Sequence, residues 1–289
     1  MPNAGSATST ESDRASRRVT DWIVNARMYS VTPEVETLWR ELLAHIARDA
    51  GIDLTYVPYP APQPLETLWS RPDLGAVWMC GFPIALRLAP VVPIAAPIPH
   101  AGWAAGRPVY RTDLIVRRDA PYQTLEQTFG GRAGFTVGHS QSGFNAFRHH
   151  LLQYRTPQRP VLYREMIGNL VTARRVLDSV REGRIDVGPL DAYWHMLIAR
   201  HAPQLTADIR VLASTAPTPI PAFVAAEGAP AEMISRLREA FVAARTRPWF
   251  AGFSEPLRLD GFAAVDAASY EVLLDWDRAA RSAGYELPA

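Results

Sequence analysis

The chain has 289 residues and is nearly neutral, with 30 basic against 29 acidic side chains. All 30 basic residues are arginine, because the sequence contains no lysine, and there is a single cysteine, Cys80. This excludes Schiff-base chemistry, P-loop and kinase lysines, internal disulfides, CxxC redox pairs and multi-cysteine zinc sites. Any anion must be held by arginine, hydroxyls or backbone N–H groups. The balanced charge gives no field for nucleic acid, and a hydrophobic content of 48% is ordinary for a globular protein.

Residues 1–19 are rich in Ser, Thr, Ala and Arg without apolar periodicity, and read as a disordered tail. They carry no apolar run of about 7–15 residues of the kind an export signal needs. Apolar stretches such as 91–98 are short and broken by proline, so no membrane insertion is expected.

In chain order, a strand is expected over 22–28. Thr32-Pro33-Glu34 then reads as the cap and first turn of a helix that stops before Gly51. Strands follow at 54–57, 74–79 and 91–96, with short helices between them. Cys80-Gly81-Phe82-Pro83 is a loop at the end of the second of these strands. A long strand is expected over 109–117, a helical turn over 124–129, and a strand over 132–137. After a tight turn at 138–143 come a helix to about 153, strand 161–166, helix 172–182, strand 185–187 and helix 191–200. Strands 209–214 and 222–225 and helices 231–246 and 267–283 finish the chain. This alternation implies βαβ units and parallel sheets. The block from 111 to 209 is an α/β set of its own, entered and left by one strand each. That suits a lobe inserted into another lobe, with a cleft between them.

Two stretches could carry chemistry. In Gly138-His139-Ser140-Gln141-Ser142-Gly143, hydroxyls and N–H groups converge on the positive end of a helix, a ready site for an oxyanion. The same serines serve equally as helix caps. The stretch also resembles the start of a G-x-S-x-G nucleophile elbow, although Ser142 stands where that motif has glycine. A hydrolase using Ser140 would need Asp186 or Asp191 and then His195 or His201, since no histidine follows His201. The second stretch, 183–194, ends a strand at Gly188 and starts a helix at Asp191, bringing Asp191 and Tyr193 to a strand edge. Capping by Asp191 and core packing of Tyr193 are the alternatives. None of the seven histidines has metal-ligand spacing, and neither metal nor cofactor is expected.

Five pieces taken in order carry a resemblance: 110–117, Leu125 to Gly131, 139–143, Gly183 to Asp191, and 213–221. Across about 20–285 the chain resembles the substrate-binding proteins of phosphate/phosphonate-type ABC transporters, within the type II periplasmic-binding-protein group. The resemblance implies a two-lobe α/β fold with the second lobe inserted in the first and two hinge strands. It places 20–108 and 215–289 in lobe 1 and 109–214 in lobe 2. It also implies a non-enzymatic solute-binding protein that closes on a small anionic ligand such as phosphate or a phosphonate, with a transporter permease as partner. The ligand's oxyanion would meet Ser140, Gln141, Ser142 and the N–H of Gly143, with His139 beside them. First-lobe loops would add Tyr29, Cys80, Gly81 and Phe82, the first hinge strand would add Tyr110, and Asp191 and Tyr193 would meet a ligand amine or hydroxyl. His139 and Gln141 flank the serines where phosphonate binders usually carry a Ser/Thr-rich turn, which leaves the ligand class open. By resemblance the location is periplasmic, whereas without an export signal a cytosolic ligand sensor of the same fold is the rival.

Overall fold

The computed structural model describes residues 21–289, so the expected tail over 1–19 lies outside the described residues. The strands in chain order are β1 (Trp22–Asn25), β2 (Leu54–Tyr56), β3 (Leu74–Met79), β4 (Val91–Pro99), β5 (Val109–Tyr110), β6 (Thr112–Arg117) and β7 (Arg132–Gly134). They continue with β8 (Glu165–Ile167), β9 (Gly188–Asp191), β10 (Ile209–Ser214), β11 (Thr218–Pro219), β12 (Ala222–Ala226) and β13 (Leu259–Ala264).

A six-stranded sheet has the order β13-β4-β12-β3-β1-β2. Strands β1, β2 and β3 pair in parallel, but β12 runs antiparallel to both β3 and β4, and β13 antiparallel to β4. The sheet is therefore mixed rather than parallel. The cause is the chain path: β12 starts where β3 ends, with Ala222 opposite Met79, so it can only run back. β13 was not expected from the sequence. Its Gly261 sits at φ +133, a backbone conformation that side chains other than glycine's rarely adopt, and this glycine breaks the strand pattern.

The second sheet has the order β10-β6-β9, all antiparallel, and a parallel β7–β8 pair joins it through a bridge between Ala133 and Val187. The chain enters this sheet through β5 and leaves it through β11, and those two segments pair antiparallel. The second lobe is thus inserted into the first, with the two crossings side by side. The expected strand 109–117 is interrupted at Arg111, between β5 and β6. The expected strand at 161–166 shifts to β8, and the one at 185–187 to β9, each paired where its partner begins.

The larger apolar core fills the first sheet and continues onto helices Ala173–Arg181 and Ala192–His201 of the second lobe. A smaller core, with Leu114, Phe147 and Tyr163, lies on the opposite side of the second sheet and includes Tyr285. The last helix, Val272–Ser282, accordingly serves both lobes. Leu273 and Tyr270 would press on any Cβ added at Gly81. The Leu273 carbonyl accepts from Asn145 (3.0 Å), and Asp277 pairs with the buried Arg148.

Candidate functional site

Strands β1 and β3 both end on the edge of the first sheet that faces the second lobe. At the end of β1, Asn25 donates to the Val57 carbonyl (2.8 Å) and accepts from the Arg27 N–H (2.9 Å). This turns the chain into a short 3-10 helix, Arg27–Tyr29, and leaves both of those side chains at the edge. Helix Pro33–Ala50 follows, capped by Thr32, whose hydroxyl accepts from the Val35 N–H (3.3 Å). Tyr29 is held by Trp78 and Tyr193, edge-on at 5.1 and 4.8 Å.

In the second lobe, the chain leaves β7 and turns at Val137–Ser140 into a helix whose first turn, Gln141–Asn145, is widened. The Ser140 hydroxyl accepts from the Gly143 N–H (3.0 Å), so it is a helix cap. A Cβ at Gly143 would overlap the Thr136 side chain, which explains why this turn needs glycine. The Thr136 hydroxyl is buried without a hydrogen-bond partner.

Between these walls lies a cleft of about 650 Å³. Of the residues expected at the site, Tyr29, Cys80, His139, Ser140, Ser142 and Asp191 line it. The others sit behind the wall. Gly81 and Phe82 start the short helix Gly81–Ala85 and pack inward. The Tyr110 hydroxyl lies 3.8 Å from Cys80 Sγ. The Gln141 side chain accepts from Asn145 (2.9 Å), and Gly143 is taken up by the cap. The Tyr193 hydroxyl donates to the Leu257 carbonyl (2.7 Å), away from the cleft.

Polar contacts join the two walls, besides ring contacts such as Tyr29 with Tyr193. The Tyr29 hydroxyl donates to Asp191 Oδ2 (2.9 Å), the Gln141 N–H donates to Cys80 Sγ (3.3 Å), and His139 lies 3.4 Å from Glu66. Asp191 does both jobs weighed for it: Oδ1 caps helix Ala192–His201 through the Tyr193 and Trp194 N–H groups, while Oδ2 faces Tyr29. Burial pushes its carboxyl up to about 7, against the pull of those three donors. Burial also raises the Cys80 thiol and the Tyr29 hydroxyl, and lowers His139 despite Glu66.

Arg27, Arg175 and Thr136 also line the cleft and were not expected there. The Arg27 guanidinium donates to the Gln63 carbonyl and lies 5.5 Å from the Tyr59 ring centre. It is half-buried, burial lowers its pKa, and it has no carboxylate partner among the described ion pairs. Glu66 acts on it only at a distance, without a described ion pair, and a part-desolvated cation with no direct ion pair favours an incoming anion. Its position two residues before Tyr29, on the edge where β1 ends, was the available signal. Arg175 and Thr136 gave none, since only folding brings them to this wall.

The hydrolase constellation does not assemble. His195 pairs with Asp113 (3.0 Å), His201 with the Pro256 carbonyl (2.8 Å), and Asp186 accepts from the Arg132 N–H (2.7 Å). None of these groups reaches Ser140, whose hydroxyl is engaged in its cap.

Among curated proteins none matches the chain in sequence. In structure it is similar to a binding protein component of an ABC phosphonate transporter from Pseudomonas aeruginosa, with a TM-score of 0.75, 14% identity, and coverage of 91% of this chain and 88% of that one. It is also similar to PhnD1 from Prochlorococcus marinus in complex with methylphosphonate, with a TM-score of 0.72, 14% identity, and coverage of 90% and 98%. A third likeness is to a Xanthomonas citri protein bound to ATP, with a TM-score of 0.60, 20% identity, and coverage of 91% and 98%. These likenesses establish the periplasmic-binding-protein fold. In sequence, residues 29–270 match the family described as "ABC transporter, phosphonate, periplasmic substrate-binding protein". The chain belongs to this phosphonate ABC transporter substrate-binding family and is a solute-binding protein.

Proposed function

We propose that this chain holds a phosphonate, phosphate or similar oxyanion in the cleft and hands it to a transporter permease without altering it chemically. One observation carries the reading: the half-buried Arg27, in no ion pair among the described residues, lines the same cleft as the helix start at Ser140 and Ser142. A guanidinium on one lobe and hydroxyls with a positive helix end on the other can grip an oxyanion from both sides. A ligand touching both walls would hold the lobes in the arrangement in which they already meet. The lobes divide near residues 109 and 214, with helix Val272–Ser282 bridging them.

Adding phosphate, methylphosphonate, phenylphosphonate or a sulfonate to the purified chain tests this. A ligand at a hundred times its Kd is worth about 2.7 kcal/mol, or roughly 5–10 °C in melting temperature for a chain of this size. A flat response to every anion overturns the oxyanion reading. Phosphorus NMR of the bound and released ligand checks that it leaves unchanged.

A further inference from the structure

The cleft is larger than the simplest ligands of this class require. Its volume is about 650 Å³. Methylphosphonate, counted as about five water-sized groups of ~30 Å³ each, fills on the order of 150 Å³. A gaping resting conformation does not account for the excess. The walls already meet through Tyr29 and Asp191 (2.9 Å), Gln141 and Cys80 (3.3 Å), and His139 and Glu66 (3.4 Å).

The character of the extra space is set by its lining. Tyr59, Pro60, Pro62, Leu65, Trp69 and Trp194 all border the cleft. Apart from Trp194 on the second lobe, they come from the loop and short helix between β2 and β3. The polar tips of two rings are engaged elsewhere: Tyr59 donates to the Pro64 carbonyl (2.8 Å) and the Trp69 indole to the Trp78 carbonyl (2.9 Å). Trp69 and Trp194 are already buried and form the floor, so the surface that gains by leaving water is that of Tyr59, Pro60, Pro62 and Leu65. Arg27 sits against this wall, over the Tyr59 ring.

We infer that the ligand is an oxyanion carrying a ring-sized apolar body. Its charged head lies between Arg27 and the turn at Ser140 and Ser142, and its body lies against Tyr59, Pro62 and Leu65, over the buried Trp69 and Trp194. This rests on the oxyanion reading proposed above and narrows it to aryl or similarly bulky phosphonates and their analogues.

Isothermal titration of the full chain with methylphosphonate, phenylphosphonate and neutral benzyl alcohol separates the two claims. Phenylphosphonate is expected to bind at least tenfold more tightly than methylphosphonate, and at least a hundredfold more tightly than benzyl alcohol. Methylphosphonate binding as tightly as phenylphosphonate, or more so, overturns the apolar body and leaves the oxyanion reading standing. Benzyl alcohol matching phenylphosphonate, or silence from both phosphonates, overturns the oxyanion reading and this inference with it. In Tyr59→Ala, a change on a surface loop whose folding is checked by melting temperature, the phenyl-to-methyl affinity ratio is expected to fall at least threefold. An unchanged ratio overturns the assignment of the body to this wall.

Discussion

The two walls of the cleft are built on different principles. The centre of the second-lobe wall is a local device: a strand, a tight turn and a helix start within 132–145, with the Ser140 hydroxyl fixed by a bond three residues away, flanked by the start of helix Ala173–Arg181 and by Asp191 and Trp194. The first-lobe wall is assembled from three separate segments, around Arg27–Tyr29, the 58–69 loop and helix, and Cys80. The local wall is rigid and generic, since many anions suit a helix start. The assembled wall carries the only cleft cation among the described residues that is both half-buried and lacks a carboxylate partner, together with most of the rings. Affinity for an anion can come from either wall, whereas discrimination by the anion's body falls mainly to the first, with Trp194 the second-lobe exception.

Changes on each wall break this contrast in different ways. The largest effect is expected from Gly143→Ala, because its Cβ must displace Thr136 and with it the whole turn. Overpacking of this kind costs about 1–3 kcal/mol, and denaturant unfolding should show it together with loss of binding to every anion. Arg27→Gln on the other wall removes a charge-assisted contact worth about 1.5–3 kcal/mol. Titration with phenylphosphonate should show roughly ten- to a hundredfold weaker binding with little change in stability. Unchanged affinity would move the anion's partner to Arg175.

Asp191, where the walls meet, gives a pH signature. Its carboxyl is raised from 3.8 to about 7, so the folded chain holds this proton more tightly than the unfolded chain does. Stability from this group is full below about 3.8 and is lost as pH rises towards and through about 7. Asp191→Asn keeps a good helix cap without the charge. Its melting temperature should therefore fall less than the parent's between pH 4 and pH 8. Parallel profiles would show that the carboxyl is not raised. The smallest effect is expected from Ser140→Ala, which removes a cap worth about 1 kcal/mol. It should lower the melting temperature by a few degrees while leaving the phenyl-to-methyl selectivity in place.

Much of this molecule was legible as local pattern. Strand Leu74–Met79 and helix Pro33–Ala50 with its Thr32 cap lie where apolar runs and capping residues put them, because both signals act within a few residues. The turn at 138–143 was legible for the same reason. Strand β13 was not, because Gly261 interrupts its pattern and its pairing partner, β4, lies some 160 residues away in sequence. Nor was the antiparallel direction of β12, which depends on where the inserted lobe returns the chain.

At the site, sequence alone placed Tyr29, Cys80, Ser140, Ser142 and Asp191 at strand ends and helix starts, and an absent lysine restricted the anion's partners to arginine, hydroxyls and backbone. Tertiary structure decided which of these side chains share a cavity. It turned Tyr193 towards Leu257, set Tyr110 behind Cys80, and brought Arg27 and Arg175 from opposite lobes to one cleft. The physical reason is range. Caps, turns and strand edges are set by neighbours in sequence, whereas Arg27 loses water only once the distant loop carrying Tyr59 and Gln63 folds onto it, and Asp191 only once the other lobe's Tyr29 meets it.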